Sequence, residues 1–392
     1  MGEYDVMVGI PSYNEADTIA YVTRMASLGI QKYFSQYRSI IVNVDNNSQD
    51  NTRDAFLRVE TSVEKHCITT PDGVRGKGNN FWNLFNFVME SGARIVLVLD
   101  ADLKSVTPEW VERLVRPIEQ GYQYICPLYT RHPFDAAITN HMCYPLIFGL
   151  LGVDIRHPNG GDFAFSREMC SYWLDRRWEE STRQHGIDIF MTLHAILGGF
   201  RIAQAGLGTK VHRARIPNLG ITFEQAIHTL FSILVETREQ WVHRSTGDLT
   251  TPFKFGQEEP CMPHEPQVDL RDLKSKTRAE YFKYRDLLRA YLNDHAFNKI
   301  DRMIYMDYFE VDTMFWTQVL YMLLHRFERE SEQGRKEIIE IMKPLYYSRA
   351  LTFDYQTWRH DFAYSEECVR EQALAFASQR PYLLGLYSRD HI

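Results

Sequence analysis

Two aspartates separated by one residue follow an unbroken apolar run, Ile95 to Leu99. A run of this length predicts a strand buried on both faces, as in a parallel sheet covered by helices. Asp100 and Asp102 would then lie in the crevice at the carboxyl ends of the strands, where open α/β sheets bind ligands. Carboxylate oxygens suit Mg²⁺ or Mn²⁺, and such an ion neutralises a diphosphate. Taken alone, the pair of acids fits an ordinary strand-ending turn equally well.

Two polar loops follow the first two predicted strands. Pro11, Asn14 and Glu15 come after the first strand, and Asp45 ends the second. Loops at adjacent strand ends can hold a base and a ribose, because an aspartate accepts hydrogen bonds from N–H and hydroxyl groups. Ordinary Asx-turn chemistry is the alternative interpretation of each loop.

Two basic segments complete the set of candidate residues. Residues 75–78 read Arg-Gly-Lys-Gly at the start of a predicted helix, where Lys77 and the helix N-terminus both favour an anion. The spacing is not that of a Walker A motif, and a surface turn is the alternative. His212 follows Lys210, and a neutral histidine can share a divalent ion with a carboxylate.

The elements that must position these residues alternate along the first part of the chain. Four predicted strands alternate with three helices, which predicts βαβ units and an α/β fold with a mostly parallel sheet. Beyond about residue 131 the pattern loosens, and the last third has helical periodicity. The predicted strands are 5–11, 38–45, 67–70 and 95–99, and the helices are 15 onward, 51–65, 79–91, 224–247 and 270–378.

In this order the segments resemble the GT-A glycosyltransferases. The likeness rests on P-x-x-N-E at 11–15, V-D-x-x-S-x-D at 44–50, G-K-G at 76–78 and the Asp-x-Asp strand. Within that superfamily the chain resembles the retaining enzymes that make glucosyl- or mannosyl-glycerate and their 3-phosphoglycerate forms. The segments PNGGD, HGIDI and VHR carry this narrower match, where the family has P-x-G-G-E, G-x-E-I and A-H-R. The likeness covers about residues 5–240.

The resemblance implies a GT-A fold, Rossmann-like with a mostly parallel sheet flanked by helices, and roles for particular residues. Asp102 and His212 would hold Mg²⁺ or Mn²⁺. Asp188 and Asp162 replace family glutamates near the transferred sugar and are the candidate catalytic residues. The implied partners are a nucleotide-sugar donor and a small-molecule acceptor. The candidate donor-binding residues are Pro11, Asn14, Glu15, Asp45, Lys77, Asp100, Ala101 and Arg213.

The acceptor loop departs from the family pattern. The phosphoglycerate enzymes hold the acceptor phosphate with a basic side chain and a threonine, whereas Ala136-Ala137-Ile138-Thr139 keeps only Thr139. Arg131 and Lys210 are the candidate substitutes. The expected acceptor is therefore glycerate, 3-phosphoglycerate or another small hydroxy acid or polyol, a class that suits compatible-solute synthesis.

Retention in this family implies front-face attack, with the leaving phosphate taking the acceptor proton. Asp188 would then position the sugar or the acceptor. An inverting GT-A transferase acting on a lipid or polysaccharide is an alternative, with Asp162 or Asp188 as its base. A sugar-nucleotide nucleotidyltransferase would need a basic glycine-rich loop at 11–15. A non-catalytic assembly protein on the same fold is the remaining hypothesis.

Composition bounds the partners and the compartment. A net charge of −7 over 392 residues argues against a nucleic-acid binder. Six scattered cysteines without a C-x-x-C pattern indicate reduced thiols and a cytoplasmic protein. The chain has no signal-peptide pattern, and its longest apolar stretch, 142–153, is too short to span a membrane.

The predicted organisation has four parts. Residues 1–130 form the nucleotide-sugar half, 131–249 the acceptor half, 250–269 a linker and 270–392 a helical C-terminal region. That last region is rich in large aromatic residues and has no catalytic motif, so we predict that it packs as core or forms a homodimer interface. Examples are Tyr305, Tyr308, Phe309 and Trp316.

Overall fold

The structure, a computed structural model, describes residues 3–212, 219–244, 249–256 and 269–389. Eight strands form one sheet in the order β3-β2-β1-β4-β6-β5-β7-β8. Neighbouring strands are parallel except where β6 lies antiparallel between β4 and β5. The strands are β1 (Val6–Ser12), β2 (Ser39–Asp45), β3 (Glu64–Thr69), β4 (Ile95–Val98), β5 (Tyr124–Thr130), β6 (Phe163–Ser166), β7 (Ile202–Thr209) and β8 (Phe253–Phe255).

Helices flank the sheet and make up most of the rest of the described chain. A 3₁₀ turn at Pro133–Asp135 and two π-helical segments, Thr139–Cys143 and Ile147–Leu151, surround the short α5. The helices are α1 (Ile19–Tyr33), α2 (Thr52–Arg58), α3 (Lys77–Ser91), α4 (Pro108–Glu119), α5 (Tyr144–Leu146), α6 (Arg167–Leu174), α7 (Glu180–Arg183), α8 (Ile187–Leu197), α9 (Leu219–Glu236), α10 (Arg238–Trp241), α11 (Leu270–Tyr291), α12 (Asp294–Met306), α13 (Thr313–Arg329), α14 (Glu332–Thr357), α15 (Phe362–Ser378) and α16 (Arg380–Arg389).

The chain divides into two compact units. The first comprises Met1–Thr130, His157–Asn218 and Pro252–Pro263, and the second comprises the remaining segments. The whole sheet belongs to the first unit, while α9 to α16 belong to the second. The division into donor and acceptor halves stays a prediction; within the predicted linker, β8 pairs with β7.

Burial on both faces explains the central strands. Every residue of β1, β2 and β4 is buried, which their valine- and isoleucine-rich sequences require. Alternate residues of β1 face α1 and α4 on one side, whereas Gly9 faces α3 on the other. A Cβ at Gly9 would lie 2.5 Å from a methyl of Leu84, so only glycine allows α3 to pack this closely. The predicted α/β fold with a mostly parallel sheet is confirmed.

The helix predicted over 51–65 is too long, because α2 ends at Arg58. Lys65 belongs instead to β3, which starts at Glu64, three residues before the predicted start. The Lys65 ammonium donates to the carbonyls of Phe56, Leu57 and Val59 at 3.1, 2.8 and 2.5 Å. These carbonyls lie at the end of α2, where helix carbonyls run out of backbone partners, although that of Phe56 also accepts from the Val59 N–H at 3.3 Å. The lysine therefore caps the helix from the neighbouring strand.

The second unit confirms the helical C-terminal region. Phe309 and Trp316 are buried, and the Trp316 indole N–H donates to the carbonyl of His141 at 2.9 Å. Tyr305 and Tyr308 are exposed. Some of the aromatic residues thus pack in the core and others are exposed, and the homodimer stays a prediction. Across the described residues, every helix is too short or too polar to cross a bilayer.

Candidate active site

The candidate active site begins where β4 ends. Asp100 follows this strand, and its carboxylate lies between two lysines from distant segments. Lys77 Nζ, in the first turn of α3, lies 3.0 Å from Asp100 Oδ1. Lys210 Nζ, just after β7, lies 3.1 Å from Asp100 Oδ2. The fold thus brings together the Asp-x-Asp segment and both basic segments predicted to accompany it.

Two further carboxylates extend this arrangement. Asp188, in the first turn of α8, accepts from Lys77 Nζ at 3.0 Å. Asp162, in the loop before β6, accepts from Lys210 Nζ at 2.8 Å and from the backbone N–H of Asp100 at 2.8 Å. We call these residues the Asp–Lys cluster: Lys77, Asp100, Asp162, Asp188 and Lys210.

The charges of the cluster shift one another's pKa values. Burial would raise the pKa of Asp100, but the ammonium groups of Lys77 and Lys210 outweigh it and hold that pKa below its usual range. Burial raises the pKa of Asp188, and the charge of Asp100 adds to this effect against the opposing Lys77. Asp100 is therefore the carboxylate that the cluster keeps ionised most firmly.

Two more groups near the cluster have shifted pKa values. Burial raises the pKa of Asp162, against the opposing charge of Lys210. Burial and the charge of Lys77 lower the pKa of His185 to about 4, so this imidazole is neutral at pH 7.

Asp102 and His212 are brought together by backbone pairing. Leu103 and His212 form an antiparallel bridge, and Lys104 N–H donates to the carbonyl of Val211 at 2.8 Å. Burial and the charge of Asp100 raise the pKa of Asp102, while Lys210 and His212 lower it. Among the described residues, the Asp102 carboxylate makes no hydrogen bond or ion pair.

Asp102 and His212 together could supply two of the ligands of a divalent ion, but not a complete coordination shell. Within the described ranges, no group of three or more His, Cys, Asp or Glu residues is arranged to hold a metal. Mg²⁺ is commonly bound through one or two carboxylates together with substrate phosphates and water. An unpaired carboxylate beside an imidazole is consistent with that mode of binding.

The loops after β1 and β2 are joined to one another. Asn14, whose φ is +56°, accepts from the N–H of Gln49 at 2.8 Å, and its own N–H donates to Ser48 Oγ at 2.9 Å. Asp45 is buried and accepts from the N–H and hydroxyl of Ser48 at 2.9 and 2.5 Å. Both bonds tie the Asp45 side chain to the loop that follows β2, so Asp45 holds the loop shape.

Three further donor-binding candidates occupy the same edge. Pro11 lies in β1, and Glu15 is buried, with its N–H donating to Thr52 Oγ1 at 2.8 Å. Ala101 is buried between the two aspartates of the Asp-x-Asp segment. The remaining donor-binding candidate, Arg213, lies outside the described residues.

Gly76 and Gly78 allow another segment of the chain, around Arg183, to pack closely against the start of α3. A Cβ at Gly76 would lie 2.4 Å from the carbonyl oxygen of Arg183, and one at Gly78 would lie 2.0 Å from that of Thr182. The N–H of Gly78 donates to the carbonyl of Gln184 at 2.9 Å. The glycines therefore seat the start of α3 against the segment that leads into Asp188, instead of leaving the backbone open for a ligand.

The candidate acceptor residues Arg131 and Thr139 belong to the second unit. Arg131 makes a bidentate contact with Asp135, at 3.1 Å from Nε and 2.7 Å from Nη2 to the same carboxylate oxygen. Thr139 is buried in the first turn of its π-helical segment. The guanidinium of Arg131 is therefore already neutralised within its own loop.

Two residues that contact the cluster, Tyr129 and Gly161, were not among the predicted site residues. The Tyr129 hydroxyl donates to Asp162 Oδ2. Gly161 has a φ of +94°, and a Cβ there would lie 2.2 Å from Asp100 Oδ2. A tyrosine in an otherwise apolar strand gives no local signal, although the paired glycines at 160–161 indicate a close approach.

A cavity of about 540 Å³ lies apart from this site, at the amino ends of β4 and β5. Its lining includes Gln123, Ser166 and Arg167, and none of the predicted site residues. The carboxyl-end location of the cluster is the one that open α/β sheets use for ligands.

Comparison with known proteins identifies the first part of the chain. Residues 7–171 match the family model described as Glycosyl transferase family 2. This segment is therefore similar to the glycosyltransferases of that family. The match spans β1 to α6 and so includes Lys77, the Asp-x-Asp segment and Asp162.

Solved structures with a similar fold include complexes of glucosyl-3-phosphoglycerate synthase from Mycobacterium tuberculosis. The complex with Mg²⁺ and uridine diphosphate is 26% identical, with 59% of this chain and 79% of that one covered and a TM-score of 0.48. The complex with Mn²⁺, uridine diphosphate and glucosyl-3-phosphoglycerate is 24% identical, with 59% and 80% covered and a TM-score of 0.47. No curated protein matches the chain.

Proposed function

We propose that this glycosyltransferase moves glucose or mannose from a nucleotide diphosphate sugar to a small hydroxy-acid acceptor, with retention of configuration and with Mg²⁺ or Mn²⁺. The observation that carries the proposal is the Asp–Lys cluster at the carboxyl end of β4, beside Asp102 and His212. Charged groups of both signs, largely shielded from water, suit a reaction that builds charge on a leaving diphosphate.

Asp102 and His212 are the residues that would hold the divalent ion. The Asp102 carboxylate makes no hydrogen bond or ion pair in the described chain. The backbone bridge between Leu103 and His212 brings His212 close enough for its charge to lower the pKa of Asp102. When bound, such an ion neutralises the diphosphate and stabilises the departing nucleotide. An oxygen and a nitrogen ligand are compatible with Mg²⁺ or Mn²⁺.

On the donor side, Lys77 supplies a positive charge for the diphosphate. Asp100 and Asp188 outweigh burial and raise the pKa of Lys77, so the ammonium persists throughout the neutral range. Pro11 in β1, Asp45 at the end of β2 and the joined loops with Asn14 and Glu15 form an edge against which the base and ribose would bind.

Asp188 has one carboxylate oxygen that could accept a hydrogen bond from the transferred sugar. Its Oδ2 accepts from Lys77, whereas its Oδ1 is buried without a hydrogen-bond partner in the described part of the chain. A buried acceptor of this kind costs free energy until a donor reaches it. We infer that a hydroxyl of the transferred sugar is that donor, which makes Asp188 a positioning group and agrees with front-face attack.

The acceptor proposal favours a molecule without a phosphate. Ala137 stands where the phosphoglycerate enzymes of the resembled family place a basic side chain. Of the two candidate substitutes, Arg131 is paired with Asp135, and Lys210 is paired with Asp100 and Asp162. Free glycerate or a related hydroxy acid carries a carboxylate but no phosphate, so it brings less negative charge that these residues would have to pair.

The test is product analysis with the purified chain. We would incubate it with Mg²⁺ or Mn²⁺, with the UDP, GDP and ADP forms of glucose and mannose, and with glycerate or 3-phosphoglycerate. Mass spectrometry should detect a hexosyl-glycerate product, and the one-bond ¹³C–¹H coupling at the anomeric carbon should show that the product keeps the donor's configuration. An inverted product would contradict retention, and no transfer with any pair would contradict the proposal.

A matched pair of variants links the result to the site. Asp102→Asn removes one charged metal ligand, whereas Asp54→Asn changes an exposed aspartate whose contact is a 3.8 Å surface pair with Arg58. We expect the first to lose transfer and the second to keep it. Equal activity in both would refute the assigned role of Asp102.

A further inference from the structure

Lys210 is fully engaged inside the protein. Its ammonium lies 3.1 Å from Asp100 Oδ2, 2.8 Å from Asp162 Oδ2 and 2.7 Å from the carbonyl oxygen of Gly160. An ammonium has three N–H donors, and three oxygens accept here. With 6% of its side chain exposed, Lys210 has no donor left for an acceptor molecule.

Asp162 is equally occupied. Its Oδ1 accepts from the backbone N–H of Asp100, and its Oδ2 accepts from Lys210 and from the Tyr129 hydroxyl. Its side chain is fully buried. A carboxylate with both oxygens bonded and no exposed surface cannot reach the hydroxyl of an acceptor, so it is not a general base.

The loop between these residues is shaped for the same contacts. Gly161 has a φ of +94°, and a Cβ at this position would lie 2.2 Å from Asp100 Oδ2 and 3.2 Å from Lys210 Nζ. The absence of a side chain at residue 161 therefore lets the lysine and the aspartate meet.

We propose that Lys210, Asp162 and Tyr129, which we call the anchor triad, are positioning residues that fix Asp100 and the segment after it in the orientation that the donor site needs. Tyr129 holds Asp162, Asp162 holds the backbone of Asp100, and Lys210 holds the Asp100 carboxylate. Lys210 then acts on the donor side through Asp100 instead of binding the acceptor. The inference rests on the proposed function for its catalytic readout.

The first test separates positioning from acceptor binding. Lys210→Met should lower kcat about 100-fold or more, by the same factor for glycerate and 3-phosphoglycerate, with little change in the KM of either acceptor. Lys210→Arg keeps the charge and should recover at least tenfold of the loss. A rise in acceptor KM with unchanged kcat would overturn the proposal and return Lys210 to acceptor binding.

A matched buried lysine controls for lost stability. Lys343, on α14 in the second unit, bridges Glu224 at 2.6 Å and Glu340 at 2.5 Å and is 8% exposed. Lys343→Met also removes the ammonium of a buried lysine that joins two carboxylates, but this variant should keep a kcat within threefold of the wild-type value. An equal loss in both methionine variants would show a purely structural role and overturn the proposal.

A pair of glycines provides an independent test. Gly161→Ala and Gly199→Ala both place alanine at a positive φ, +94° and +72°, but a Cβ at Gly199 has no atom within 4 Å. Both variants should lower Tm through backbone strain, whereas only Gly161→Ala should lower kcat, by about 100-fold. Equal kcat values in the two variants would contradict the inference.

A double-mutant cycle tests the triad even if no transfer is found. We would compare urea unfolding of Lys210→Met, Asp162→Asn and the double variant. Each single change strands a buried partner, so the double variant should be more stable than the sum of the two losses predicts. Additive losses would overturn the triad, and coupled losses would support it, whatever the result of the product analysis.

Discussion

Replacing Lys77 by methionine is the most direct perturbation of the Asp–Lys cluster. Lys77 Nζ lies 3.0 Å from Asp100 Oδ1 and 3.0 Å from Asp188 Oδ2. Methionine fills a similar volume without a charge. After the change, Asp100 still has Lys210, whereas no other lysine or arginine nitrogen among the described residues lies within 4.0 Å of the Asp188 carboxylate. The variant therefore tests what one ammonium contributes between two carboxylates.

The size of the effect follows from burial. At 3.0 Å each pair carries about 5–6 kcal/mol of attraction for an effective dielectric constant of 20, before desolvation is subtracted. Removing one partner of a buried pair costs about 3–5 kcal/mol. The three side chains are 14–20% exposed, so water offsets part of this. We expect a loss of about 2–4 kcal/mol in the free energy of unfolding at pH 7.

The pH dependence has a definite sign. Burial raises the pKa of Asp188, and Lys77 opposes that rise, so the variant raises this pKa further. A carboxylate whose folded-state pKa lies above its unfolded value of about 3.9 contributes stability that is fully present below that value. This stability is lost as pH rises through the folded-state pKa. The deficit of Lys77→Met should therefore be small near pH 4 and grow toward pH 7.

The assay is urea unfolding at pH 4.5, 5.5 and 7, followed by circular dichroism and tryptophan fluorescence. Lys32→Met is the control, because its 2.9 Å pair with Glu109 is solvent-exposed and should contribute little to stability. A deficit for Lys77→Met no larger than that of the control at pH 7, or one independent of pH, would refute the electrostatic reasoning.

Three other predictions follow from the site and the sequence. Asp102→Ala should lower transfer by roughly 10³-fold, and near-normal activity of this variant in EDTA would show that the metal assignment is wrong. Because Ala137 replaces a basic residue, kcat/KM for free glycerate should equal or exceed that for 3-phosphoglycerate, a shift of roughly 10- to 100-fold from a phosphate-binding site. A strong preference for the phosphorylated acceptor would point back to Arg131 or Lys210. Residues 270–378 should bury a dimer interface, and light scattering that shows a monomer at micromolar concentration would rule it out.

The elements best predicted from sequence are the buried parallel strands. The first strand was predicted over 5–11 and runs over Val6–Ser12, and the second was predicted over 38–45 and runs over Ser39–Asp45. Such strands are easy to predict from sequence because both of their faces are buried, so nearly every residue is apolar. The edge strand β3 alternates between exposed and half-buried residues, and its start was missed by three residues.

The members of the candidate site could also be predicted from the sequence, but the contacts that each of them makes could not. All five residues of the Asp–Lys cluster were singled out from local motifs, and the fold brings them together. The family resemblance implied that Lys210 was one of two candidates for binding the acceptor and that Asp162 was a candidate catalytic residue. The contacts of Lys210 join residues 48 and 110 positions apart, so no local pattern could reveal that its donors are already used.

The glycines of residues 75–78 are a second case in which the local sequence cannot show which distant segment a residue contacts. A glycine next to a lysine at a helix start predicts a backbone open to an anion, and local sequence cannot distinguish this from a glycine that packs against a distant segment. Here a Cβ at Gly78 would collide with the carbonyl of Thr182, six residues before Asp188. The glycine therefore serves the site indirectly, because it lets the start of α3, with Lys77, lie against the segment that delivers Asp188. The 3.0 Å contact between Lys77 and Asp188 depends on that packing as much as on the opposite charges of the two side chains.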